Sequence, residues 1–170
     1  MTMLRDRRRS VFLFCALVPC VLFAERTNSE ETAKFYDPQE RQIEGWAVAV
    51  DPVLLAEENK QTADLALEAL ANHLQRVKYI VPEERLEKLR TMRIWLEHHN
   101  EKLGSMQYHP DRGWLVANGH DPRLVKHVHI PRAKHLIDPG MWAKHPYVVL
   151  HELAHAYHDQ VLGFENPEIN

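Results

Sequence analysis

Apolar and polar positions along the chain fall into two periods. Trp46, Val48 and Val50 alternate with Ala47 and Ala49, which predicts a strand with small residues on its second face. Asp51-Pro52 is a cap followed by a first-turn proline, and helix is expected from there towards Lys78. Within it Ala63, Ala66, Leu67, Leu70, Leu74 and Val77 recur at steps of three and four, a core-facing stripe. His73 lies off that stripe and reads as a surface histidine. A short helix follows, Glu83 to about Leu89. Met92, Ile94 and Leu96 then alternate with Arg93 and Trp95 as a second strand.

Residues 100–122 show little period. With Tyr108, His109, Trp114 and His120 they read as a long ordered loop, a cleft wall. Leu124, Val128 and Ile130 predict a third strand, Leu124 to Ile130. Its second face, Val125, His127 and His129, reads as solvent-facing, with the two histidines as metal ligands the alternative. A helical segment from Pro131 to about Ile137 and a Pro139-Gly140 turn lead to a last helix. That helix is expected from about Pro146 to Leu162, with Gly163 just past its end. Mixed short strands and local helices point to an α+β domain.

The last helix carries the chemistry. His151-Glu152-Leu153-Ala154-His155 puts two imidazoles four residues apart on one face, a separation that one zinc ion bridges. Glu152 is rotated about 100° from His151, beside such an ion, where a carboxylate takes a proton from an activated water. The bare pattern is a weak signal in a chain with 12 His. Its setting strengthens it. Val148, Val149 and Leu150 make an apolar approach, Ala154 and Ala156 keep the helix slim, and buried polar groups there need a partner. A hydrogen-bonded histidine pair without metal is the plain alternative.

Composition sets the frame. With 170 residues, 45% of them apolar, the chain has room for one ordinary globular domain and extras. Net charge is −3, and the body of the chain has no basic cluster to attract nucleic acid. Arg5 to Arg9, the apolar run from Val11 to Phe23 and the small residue Ala24 read as a secretory signal over residues 1–24. The apolar run is too short for a membrane span, and the expected location is secreted or periplasmic. Both cysteines, Cys15 and Cys20, fall inside that signal, so no disulfide framework is expected afterwards. A lipid anchor on Cys20 competes with this reading, although Pro19 suits it poorly. Residues 25–42 read as a polar linker, and 43–170 as the domain.

A strand placed before a helix bearing His-Glu-x-x-His resembles the zincin metallopeptidases. Within them, the stretch from Val149 to Ile169 resembles a group of secreted bacterial proteins related to the catalytic domain of anthrax lethal factor. Gly45 to Pro52, Met106 to Pro110, Gly113 to Gly119 and His129 to Arg132 are similar to parts of the same group. The similarity covers roughly residues 41–169 and is most specific around the motif helix. It implies a zincin-like fold, with a small mixed or antiparallel sheet beside the active-site helix. It further implies a peptide or protein substrate and Zn2+ held by His151 and His155, with Glu152 as the catalytic base.

The resemblance also implies a third zinc ligand, a Glu from a later helix. The metzincin alternative requires Gly at 158 and His at 161, where this chain has His158 and Val161. His158 shares the stripe of His151 but stands about 10.5 Å along the axis, too far to share its ion. Asp159 is expected to orient a His N–H or to cap the helix end. Glu165 and Glu168 are weak candidates for the missing ligand. The expectation is therefore that the chain lacks a C-terminal part of the domain, and that zinc on two ligands binds weakly. Two functions stand: secreted zinc-dependent peptide hydrolysis, with a substrate strand added at the edge of Leu124 to Ile130, and a non-catalytic secreted binding or scaffold domain with a residual metal site.

Overall fold

The computed structural model describes residues 35–166; the expected signal over 1–24, most of the expected linker and Glu168 lie outside them. Five strands form one mixed sheet: β1 (Gln39–Ile43), β2 (Trp46–Val50), β3 (Arg93–Leu96), β4 (Gln107–Tyr108) and β5 (His127–Ile130), in the order β1-β2-β3-β5-β4. Helices α1 (Lys60–Ile80), α2 (Glu83–Leu89), α3 (Arg112–Ala117), α4 (Lys134–Ile137), α5 (Pro139–Lys144) and α6 (Val148–Tyr157) complete an α+β architecture.

The polar stretch expected to be a linker ends in β1, which runs antiparallel to β2 with Ile43 opposite Trp46. Glu44 and Gly45, with φ of 53° and 100°, make a two-residue turn of left-handed backbone conformation, which matches the right-handed twist of the flanking strands. The polar composition reflects an edge position: residues 39–42 are exposed, and their charges discourage further pairing. β2, β3 and β5 run parallel and are joined by helical crossovers. β4 then pairs antiparallel with β5 and closes the other edge.

Strand register sorts the side chains. Val48, Ile94 and Val128 line up across the sheet, as do Val50, Leu96 and Ile130. That face packs with Leu70 and Leu74 of α1 and with Val149, Leu153 and Ala156 of α6. Ala49 and Trp95 point the opposite way, into a smaller core with Leu103, Leu115 and Leu124. Both faces are therefore covered, and this corrects the solvent-facing reading of the third strand. His129, beside Trp95 in register, is fully buried. The strand itself is shorter than expected, because Pro122–Leu124 forms a 3-10 turn.

Other differences have local causes. His73 is buried rather than on the surface: α4 and α5 fold over that side of α1, and its ring stacks on Trp142 at 4.1 Å. Asp51 caps a turn through the Val53 amide (2.8 Å) and accepts the His98 amide (3.1 Å), so regular helix waits until Lys60. Residues 100–122 contain β4 and α3, the latter capped by Asp111. The expected Pro139-Gly140 turn is the start of α5, with Asp138 accepting from the Gly140 amide at 2.6 Å.

Candidate active site

Helix α6 is shorter than the expected span. It begins at Val148, and from His158 to Leu162 the chain widens into a π turn that stops at Gly163, where φ is 78°. Val149, Leu153 and Ala156 hold one face against the sheet, which turns His151, Ala154 and His155 outward. The two imidazole Nε2 atoms approach to 3.1 Å, with the rings edge to face. Two nitrogens on a tetrahedral zinc ion with bonds of about 2.0–2.1 Å stand about 3.3 Å apart, so the pair fits one ion with little adjustment.

Glu152 lies on the inner side of the same turn and is buried. Its Oε2 accepts the backbone N–H of Tyr108, on edge strand β4, at 3.0 Å. Burial raises its carboxyl above the ordinary range, and the amide opposes that shift by favouring the ionised form. The two effects oppose each other, with burial the larger, and the amide holds the carboxylate in one place. His151 and Glu152 open onto a cleft of about 680 Å³ whose walls include Met106, His135, Met141 and His145. Gly104 and Ser105 form its lip, so part of the expected cleft-wall loop does line the site.

Among the described residues no third His, Cys, Asp or Glu joins the pair to make a three-donor metal group. Glu165 is exposed and lies outside any such group. His158 packs edge-on against Phe164 instead. Asp159 neither orients a histidine nor caps the helix. It accepts the Tyr108 hydroxyl at 2.5 Å and pairs with Lys126. The expected substrate edge is not available on β5, which is paired on both sides; the edge strand here is β4, and its Tyr108 amide is taken by Glu152.

Sequence reasoning missed two features. One is Tyr108, whose amide meets Glu152 and whose hydroxyl meets Asp159; its place in a two-residue strand leaves almost no periodic signal. The other is a buried polar chain behind β5. His109 Nε2 lies 3.1 Å from His129 Nδ1, His129 Nε2 lies 3.2 Å from Glu97, and Glu97 accepts from Asn100 at 2.9 Å. The alternation of His127 and His129 was its only trace. His129 meets His109 by a hydrogen bond at Nδ1, while its buried Nε2 lies 3.2 Å from Glu97 without forming a hydrogen bond.

No protein family, curated protein or solved structure matches the chain.

Proposed function

We propose that this protein is a secreted zinc-dependent metallopeptidase with a zincin-like active-site helix. One arrangement carries the reading: two imidazole nitrogens 3.1 Å apart, beside a buried carboxylate fixed by a backbone amide, at the mouth of a cleft. His151 and His155 would hold the zinc ion. When bound, zinc supplies a Lewis acid that acidifies water and polarises a peptide carbonyl.

This chain's own groups do the rest. Glu152 takes the proton of the attacking water and returns it to the leaving amine, a role its raised proton affinity suits. Residues 104–106 run along the cleft just before β4, where a peptide substrate finds strand-like backbone partners. Met106 and Met141 give the cleft an adaptable apolar wall.

One observation favours a second reading, a non-catalytic secreted binding domain with a residual metal site: two donors rather than three come together among the described residues. Zinc content of purified protein, read beside cleavage of a mixed peptide library with and without a chelator, separates the two. Chelator-sensitive cleavage supports the peptidase. Zinc retention without cleavage supports the binding domain.

A further inference from the structure

We propose that Tyr108 is a positioning residue for Glu152, fastening the motif helix to edge strand β4 at two points. The inference rests on the peptidase reading above. At the first point the Tyr108 amide donates to Glu152 Oε2 at 3.0 Å. At the second its hydroxyl donates to Asp159 at 2.5 Å and accepts from Gln160 Nε2 at 3.1 Å. Glu152 and Asp159 are seven residues apart, about 10 Å along a helix axis. One residue of the sheet thus touches the helix before His155 and the π turn after it.

The geometry around the second point is built rather than incidental. The π turn from His158 to Leu162 directs Asp159 and Gln160 at the sheet instead of letting α6 run straight on. Lys126 pairs with Asp159 and stands in the left-handed region, with φ of 61°. That conformation is uncommon for a residue with a Cβ and persists where surroundings enforce it. Here its amide donates to the His109 carbonyl at 2.7 Å, and its carbonyl accepts from Gln160 at 3.4 Å. The β4–β5 pairing and the helix end are therefore one hydrogen-bonded unit. Burial and the Asp159 carboxylate together keep the Tyr108 hydroxyl protonated, as its donor role requires.

The apolar face of α6 sets its distance from the sheet but restrains sliding and rotation weakly, because such contacts are non-directional. Two hydrogen-bonded points along the axis remove that freedom. His151 and His155 sit on the helix itself, so their mutual spacing does not depend on Tyr108. The carboxylate's alignment with the cleft lip does. Loosening the second point should therefore slow turnover while leaving metal and substrate binding alone.

The test compares wild type, Tyr108→Phe, Asp159→Ala and the double variant in the full chain. The readouts are zinc content, kcat and KM on a cleaved peptide, and hydrogen exchange of the residue 108 amide. Each single change should lower kcat roughly tenfold with KM within about twofold, since a small misplacement of a reacting group acts mainly on turnover. Zinc per chain should not change. The double variant should lose less than the two single losses combined, because the Tyr108–Asp159 bond is common to both while Lys126 and Gln160 each partner only one of them. Residue 108 amide exchange should speed up in all three. Wild-type kcat in Tyr108→Phe, or additive losses in the double variant, overturns the proposal. So does loss of zinc or of folding in both single variants, which would mark a purely structural contact. Absence of cleavage in the wild type removes the peptidase reading alone. The two-point attachment is then decided by exchange, with unchanged protection of the 108 amide in the variants counting against it.

Discussion

The guanidinium of Arg76 lies over the ring of Tyr147, 4.4 Å from its centroid, and donates to the Pro146 carbonyl at 2.8 Å. Residues 145–148 thereby hang from α1, although they are separated from it by about seventy positions in sequence. They are also cleft wall and helix entry at once, since Pro146 and Tyr147 line the cleft and Tyr147 precedes the first turn of α6. Arg76→Met keeps the apolar stem and removes the cation and its donors. A partly buried charged hydrogen bond together with a cation–π contact is worth about 2 kcal/mol. Urea unfolding of the variant should show a loss of that size. Affinity for a cleft-bound peptide should also weaken, while zinc content holds.

Acid sensitivity follows from histidines buried in the neutral form. Burial lowers His73 from 6.5 to about 4, with the nearby Arg76 charge adding to the shift. Burial likewise lowers His109 to about 3, helped by His129, His120 and His127. Between the folded and unfolded values the unfolded chain binds more protons, so stability is complete above about pH 6.5 and declines as pH falls towards 4. His73→Phe retains an aromatic ring to stack on Trp142 but cannot take up a proton. Unfolding midpoints at pH 7 and pH 5 should differ less for this variant than for wild type. An equal difference would show that His73 takes up protons alike in the folded and unfolded chains.

How much was legible depended on how local the cause was. β2, α2 and the core stripe of α1 follow from one-sided burial within a few residues, and the alternation of Trp46 to Val50 or the spacing of Leu70, Leu74 and Val77 reports it directly. The pairing of His151 with His155 is equally local, since a helix enforces it. His129 was misread because its burial is decided by Leu103, Leu115 and Leu124, which arrive from elsewhere in the chain to cover the second face of the sheet. His73 was misread for the same reason, with Trp142 as the distant partner. Tyr108 counted only as one aromatic of a cleft-wall loop, because its two contacts, to Glu152 and Asp159, belong to another part of the chain altogether.

Leu153 sits between the two halves of the proposed motif and is fully buried against the sheet. Leu153→Ala should cost about 3 kcal/mol, the removed methyl groups plus the cavity they leave. His151 and His155 flank it on the outer face, so the variant that remains folded should still bind zinc at low temperature. Thermal unfolding followed by circular dichroism, with and without added zinc, measures both effects. A loss below about 1 kcal/mol would mean that α6 is packed far less closely than its burial indicates.

Glu152 and His151 should separate base from ligand. Glu152→Gln preserves shape, and the amide oxygen of Gln still accepts from Tyr108, so the helix keeps its attachment. What the variant loses is the ability to take a proton. If the peptidase reading holds, kcat should fall by roughly a hundredfold or more, the range general-base removal produces, with zinc content unchanged. His151→Ala leaves one imidazole where two stood 3.1 Å apart, and a single neutral donor does not retain the ion through dialysis. Zinc content should drop to background and cleavage with it. The contrast is the informative part: equal zinc loss in both variants would place Glu152 among the ligands, and equal activity in both would take the chemistry away from this helix.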